Sequence, residues 1–151
     1  MTFGSMEFST EFFESFKNHV PHGSSILEFG SGSSTKKLVD AGYRVFSIEE
    51  NLEFVDKYGS EYLYAPIVDD WYDVSAVRKF LSDKKYSAVI IDGPAYGDRF
   101  KILEHLGEID ISGWVFVDDI DRSNDRKIFD KLKSQRTYED MGVFGIIYPG
   151  G

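Results

Sequence analysis

The stretch Ser25-Ile26-Leu27-Glu28-Phe29-Gly30-Ser31-Gly32-Ser33-Ser34-Thr35 limits the folds open to this chain more than any other. Ile26, Leu27 and Phe29 are strand-type residues, two glycines spaced by one residue follow, and the hydroxyl residues behind them are of the kind that begin helices. The pattern predicts a strand, a tight loop and a helix start. Glycine lets the backbone turn sharply and lie close to a ligand, so a side chain at Gly30 or Gly32 is expected to stand where a sugar or phosphate must pass. A glycine turn in another kind of α/β domain uses the same residues, and the pair alone does not choose between the two.

The remaining chain repeats this strand and helix rhythm. Residues 1–9 carry no strong pattern. Phe12, Phe13, Phe16 and Val20 fall at helical spacing from Thr10 to the stop at Pro21, with Glu11 and Glu14 early and Lys17 and His19 late, as a helix dipole favours. His19 and His22 read as surface residues of a helix end rather than as bases. After the glycine loop, Ser33 or Ser34 is expected to cap a helix through Leu38 that stops at Gly42. A second strand, Tyr43–Ile48, leads to Glu49, and a helix is expected from Asn51 through Leu52, Val55 and Tyr58 to Gly59. The third strand is read as Tyr62–Ala65, extending towards Val68, and Val74–Leu81 as a helix. Ser87–Ile91 is a continuous apolar run, as a central strand covered on both faces requires. A helix with Phe100, Leu103 and Leu106, a strand Trp114–Val117, a helix from Ser123 with Ile128, Phe129 and Leu132, and two short strands between Thr137 and Tyr148 complete the pattern. The fold class expected is α/β: a doubly wound, mostly parallel sheet of about seven strands with a closing antiparallel hairpin. One domain is expected over 1–151, with an N-terminal helical segment (1–24) and a core (25–151).

In such a sheet the ligand crevice lies beyond the carboxyl ends of the strands. Glu28 precedes the first glycine by two positions, and Glu49 ends the second strand, where a carboxylate can accept both hydroxyl hydrogens of a ribose. Glu50 competes with Glu49, but alternation along an extended chain lets only one of the two face a ligand. The nicotinamide fingerprint asks for a third glycine at the position of Thr35, and a phosphate-cradling loop asks for a Gly-Lys-Ser/Thr ending; both are missing.

Glu28-Phe29-Gly30-Ser31-Gly32 with Glu49 after the second strand resembles the cofactor motif of class I S-adenosylmethionine-dependent methyltransferases, and the resemblance covers most of the chain. It implies a Rossmann-like methyltransferase core in which Gly30, Ser31 and Gly32 lie under the amino-acid part of the cofactor, Glu28 is a further cofactor-binding residue and Glu49 holds the ribose. It also implies that Asp69 or Asp70 accepts from the adenine amine while Trp71 flanks the ring; these three residues can equally cap the next helix and pack. Asp92 after the fourth strand, with Asp118 and Asp119 after the fifth, is similar to the divalent-metal site of catechol O-methyltransferase-type enzymes. The implied ion is Mg2+ or another hard cation, which suits ligands made only of oxygen, and Asp92 takes the catalytic part. Those enzymes keep a lysine where this chain has Ala95, so no hydroxyl base is assigned, and turn or cap duty for the aspartates is the other reading. Asp92-Gly93-Pro94 with Arg99 behind it resembles a branch that includes sugar O-methylating enzymes.

The expected function is therefore O-methylation of a small molecule or sugar hydroxyl from S-adenosylmethionine. The alternatives are a non-catalytic S-adenosylmethionine-binding module and a nicotinamide- or sugar-nucleotide-binding enzyme. The formal net charge of −9 disfavours nucleic acid, and the lack of cysteine removes disulfides and thiolate sites. No apolar run reaches membrane-spanning length, and the N-terminus lacks the pattern of a secretory signal, so a cytoplasmic placement without membrane contact is expected. Little surrounds the core that would form an acceptor lid, which makes completion of the site by a second copy or a partner an expectation as well.

Overall fold

A computed structural model describes residues 8–150. The first seven residues of the expected 1–24 segment, and Gly151, lie outside the described residues. Within it, α1 (Thr10–His19) forms as the spacing predicts, with Ser9 accepting from the Phe12 backbone N–H as its N-cap. Four parallel strands and a short β3 then build the sheet: β1 (Ser25–Phe29), β2 (Arg44–Glu49), β3 (Glu61–Tyr64), β6 (Ala88–Ile91) and β7 (Trp114–Val117). The closing hairpin is β8 (Tyr138–Asp140) with β9 (Gly145–Ile147), and β9 runs antiparallel to both β7 and β8. The strand order β3-β2-β1-β6-β7-β9-β8 gives seven strands, doubly wound and mostly parallel as expected.

Alternation along the strands sorts the core into two layers. Leu27, Phe29, Phe46, Ile48, Val89 and Ile91 face α3 (Val74–Leu81) and α4 (Ser123–Leu132), whereas Ile26, Val45, Ala88 and Ile90 face α1 and α2 (Ser33–Asp40). The same period puts Glu28, Ser47 and Glu49 on the α2 side. Three acidic and hydroxyl side chains thus share one face with the helix that follows the glycine loop.

Four local expectations change. No helix forms after Asn51: residues 52–56 are turns, Asp56 adopts a φ of 61°, and Leu52 is exposed, so there is no apolar face to dock. The third strand stops at Tyr64, and Ile67–Val68 (β4) instead pairs with Trp71–Tyr72 (β5) in a separate hairpin. Asp69 and Asp70 form its tip with φ of 54° and 68°, the geometry of a type I′ turn. The segment with Phe100, Leu103 and Leu106 is two 3₁₀ pieces, Arg99–Glu104 and Leu106–Glu108, not an α-helix. Neither Ser33 nor Ser34 caps α2; Gly32 is the N-cap, and Ser34 accepts from the Phe8 backbone N–H at 2.7 Å. Among the described residues no helix is long and apolar enough to cross a membrane.

Candidate functional site

The carboxyl ends of β1, β2 and β6 enclose a cleft lined by Glu28, Gly30, Ser31, Gly32, Thr35, Glu49, Glu50, Asn51, Asp92 and Tyr96, with Phe8 and Phe54 as apolar walls. The two glycines serve different ends. Gly30 has φ +91°, and a Cβ there would lie 2.6 Å from the backbone oxygen of Asp92, so the constraint is the neighbouring strand end rather than a ligand. At Gly32 a Cβ would meet nothing within 4 Å, and the space it would enter is the cleft. The expectation that a side chain would obstruct a ligand therefore applies to Gly32.

Thr35, the residue that replaces a third glycine, organises the loop. Its hydroxyl accepts from Gly32 N–H at 3.1 Å and donates to Glu28 Oε2 at 2.6 Å, while Ser47 donates to the same oxygen. Glu28 is buried, and burial above all lifts it from the usual 4.5 to about 7. Glu49 accepts from Ser31 N–H and Asn51 N–H, both at 2.7 Å, so it pins the glycine loop to the end of β2. Its own value also rises to about 7, chiefly through burial, with the adjacent Glu50 adding to the rise. Both Glu49 and Glu50 line the cleft, against the expectation of one; β2 ends at Glu49, and alternation no longer governs Glu50. Nothing in the sequence marked Phe8, Thr35 or Asn51 as cleft residues, since each arrives from a different element.

Asp69, Asp70 and Trp71 do not reach this cleft. The two aspartates occupy the hairpin tip, and Asp73 rather than either of them caps α3 by accepting from Ser75 and Ala76. Trp71 is buried against Phe29 and stacked on His105 at 4.6 Å between ring centroids. The Trp71 indole N–H and the neighbouring Tyr72 hydroxyl are buried without a hydrogen-bond partner. His19 and His22 are also far from the chemistry: His19 contacts Ser15, Glu139 and Tyr148, and His22 packs beside Gly42.

The structure does bring Asp92, Asp118 and Asp119 together, with one carboxylate oxygen from each within 4.8 Å of the others. Their donor set and spacing fit a hard divalent ion. A side-chain cation stands there: Arg99 Nη1 lies 3.5 Å from carboxylate oxygens of Asp92, Asp119 and Asp125. Asp125 joins the cluster from the first turn of α4, a long-range arrival that no local pattern announces. Burial is the largest cause lifting Asp92 well above the usual range and Asp118 to about 7, and neighbouring carboxylates add to both.

These shifts set a pH dependence. Glu28, Glu49 and Asp118 have folded values near 7 against usual values of 4.5, 4.5 and 3.8, so between these limits the folded chain holds protons that the unfolded chain has released. That contribution is fully present below the unfolded values and is lost as pH rises through about 7. Chemical denaturation is expected to show greater stability at pH 5 than at pH 8. A profile rising over that interval would show that these acids are not desolvated.

No family model matches the chain, and no curated protein matches it in sequence. Solved structures do. MycE methyltransferase from the mycinamycin biosynthetic pathway, in complex with Mg, SAH and mycinamycin VI, superposes with a TM-score of 0.60 at 11% identity over 97% of this chain and 47% of that one. The O-methyltransferase TomG from Streptomyces achromogenes, in complex with SAM, gives 0.55 at 17% identity over 85% and 74%. The fold is that of class I methyltransferases. A precorrin 8w decarboxylase from Methanobacterium thermoautotrophicum is equally similar (0.61, 14% identity, 95% and 91%), so the fold does not by itself name a reaction. The chain spans about half the length of MycE.

Proposed function

We propose that the chain binds S-adenosylmethionine in the cleft between β1, β2 and β6 and transfers its methyl group to a hydroxyl oxygen of a small molecule or sugar. The observation that carries this is the chemistry of the cleft lining: four acids, Glu28, Glu49, Glu50 and Asp92, line it, three of them holding protons more tightly than free carboxylates, and no lysine or arginine does among the described residues. A nicotinamide dinucleotide or a sugar nucleotide brings a diphosphate, for which such a lining has no counter-charge, and the same holds for nucleic acid. S-adenosylmethionine brings a sulfonium and an ammonium, and cations beside these acids favour their ionised form and are attracted by it. The open space at Gly32 and the ribose-type acceptor Glu49 fit the same ligand. Complexes of MycE with SAH and of TomG with SAM support the reading at the level of fold.

The bound cofactor supplies an activated methyl group: the acceptor oxygen forms a bond to the methyl carbon as the carbon–sulfur bond breaks and its electron pair stays on sulfur. The chain's part is to hold the two molecules in line and to take up the hydroxyl proton. Asp92 stands at the cleft wall, where its ionised form would take up that proton. Where a divalent ion is used, Asp92, Asp118 and Asp119 would hold it and it would acidify the acceptor hydroxyl. Loss of turnover in EDTA with recovery in Mg2+ supports that role; full turnover in EDTA assigns the charge balance to Arg99.

Calorimetric titration with S-adenosylhomocysteine is expected to show micromolar binding, with nicotinamide adenine dinucleotide giving none. The reverse order would overturn the proposal. Glu49→Ala is expected to weaken S-adenosylhomocysteine by about 1.5–3 kcal/mol for each charge-assisted bond lost, since it removes the ribose acceptor and frees the Ser31 and Asn51 amides together. Binding without turnover on any acceptor would instead make the chain a cofactor-binding module.

A further inference from the structure

We propose that β3, at one edge of the sheet, docks against β3 of a second copy of this chain, antiparallel about Leu63, so that the two sheets continue into one another. The inference goes beyond the proposed function and does not depend on it. β3 ends the strand order on the β2 side, and among the described residues no strand pairs with its outer side. Ala65 N–H donates to Glu49 at 2.9 Å, which fixes the direction of every backbone group along the edge. Leu63 and Ala65 turn theirs towards β2, so alternation turns the N–H and C=O of Tyr62 and Tyr64 outward. These outward groups find no partner among the described residues. The strand that carries them is held firmly: the Tyr62 hydroxyl bonds Ser31 Oγ at 2.8 Å and accepts from Tyr58 N–H at 3.2 Å. An edge of this kind takes an added strand through main-chain hydrogen bonds.

The residues along the edge select a second copy as the added strand. In an antiparallel pair, residues whose backbones face each other exchange both N–H···O bonds. A two-fold axis through Leu63 sets Tyr62 opposite the second copy's Tyr64 and Tyr64 opposite its Tyr62, so every outward group meets a partner. Leu63 then faces Leu63 in the closely spaced position between those pairs, on the face that packs on α3. The tyrosines form cross-strand aromatic pairs on the other face and cover Tyr64, which is 40% exposed. Glu61 falls opposite Ala65 and is paired with Arg44 of its own copy at 3.5 Å, so no like charges oppose one another. The far edge of the sheet differs. Tyr148 N–H donates to Thr137 and Met141 N–H to Phe144, so β8 turns Tyr138 and Asp140 outward and the same construction centres on Glu139. It would set Glu139 against Glu139 at the closest cross-strand spacing, which is destabilising. Charge therefore guards β8 and leaves β3 free to pair.

The test is sedimentation of the full chain from micromolar to near-millimolar concentration, with amide hydrogen exchange read at both ends of that range. A reversible dimer of micromolar or weaker affinity is expected, because an edge of 4 residues makes a small interface. Exchange at the Tyr62 and Tyr64 amides is expected to slow on association. Tyr64→Pro removes an outward donor and leaves the ladder to β2 intact, while Tyr64→Lys puts a charge on the edge. Each is expected to weaken association about tenfold or more, and the lysine variant carries the test where the proline variant fails to fold. Tyr138→Lys, the matching change at β8, is expected to leave association unchanged. A two-fold edge closes at two chains, so growth into larger species overturns the proposal. It is also overturned by a chain still monomeric near millimolar concentration, by a Tyr64→Lys protein that associates as tightly as the parent, or by a dimer whose Tyr62 and Tyr64 amides exchange as freely as in the monomer.

Discussion

Gly30→Ala is expected to destabilise the protein by about 3 kcal/mol or more, whereas Gly32→Ala costs less than about 1 kcal/mol. The two positions look equivalent in sequence and differ in tertiary surroundings. At Gly30 an added Cβ meets a φ of +91° and, at 2.6 Å, the backbone oxygen of Asp92, with Gly93 Cα at 3.3 Å behind it. None of these is the end of a flexible side chain. Gly30 N–H also donates to Ile48 at 2.9 Å and Asp92 N–H to Phe29 at 3.0 Å, so the clash falls where β1, β2 and β6 are tied together. Relief would separate central strands of the sheet. At Gly32 the φ of −171° is ordinary extended backbone and the methyl group enters open space in the cleft. Denaturant unfolding of both variants and calorimetry on Gly32→Ala check this. Gly32→Ala is expected to fold normally and to bind S-adenosylhomocysteine more weakly, and equal stability losses in the two variants would contradict the assignment.

Arg99→Met is expected to cost about 3–5 kcal/mol at pH 8, the loss typical when one member of a buried charge cluster is removed. Arg99 is 13% exposed, and its partners Asp92, Asp125 and Asp119 are 12%, 6% and 23% exposed. The contacts of 3.5 Å are long for hydrogen bonds, so the guanidinium acts chiefly as a central positive charge. Without it the carboxylates repel one another in a poorly solvated pocket, and the values of Asp92 and Asp125, already raised by burial, rise further. The folded variant then holds more protons than the unfolded chain between about pH 4 and neutrality, so the damage shrinks as pH falls. Unfolding measured at pH 5 and pH 8 is expected to show the smaller loss at pH 5. An Arg99→Met protein as stable as the wild type at pH 8 would show that the cluster needs no internal cation.

How far the sequence carried the fold depends on the range of the interactions behind each element. The β6 run Ala88–Ile91, the α1 spacing of Phe12 and Phe16 and the order of strands and helices all express local periodicity matched to a two-layered core, and the structure agrees. The segment after Asn51 read as helical because Leu52, Val55 and Tyr58 are suitably spaced, but no element packs over Leu52 to stabilise one. Spacing creates an apolar face; only a partner surface makes it worth forming. Asp69 and Asp70 illustrate the same limit: a positive φ at both turns β4 back onto β5, so they sit at a hairpin tip held to the loop after β6 and not among the residues that line the cleft.

By itself the sequence determined the parallel doubly wound sheet, the strand–glycine–helix turn and the placing of Glu28, Glu49, Asp92, Asp118 and Asp119 at strand ends on one rim, because these follow from periods of two and near four and from chain order. Only the tertiary structure decided why Gly30 is glycine, that Thr35 and Ser47 close on Glu28, that Asp125 and Arg99 enter the acid cluster, and that Glu50 faces Tyr96 across the cleft. Each of these contacts joins residues from separate elements. Their energies come from burial and from charge in a poorly solvated pocket, quantities that exist only once the strands have been brought side by side.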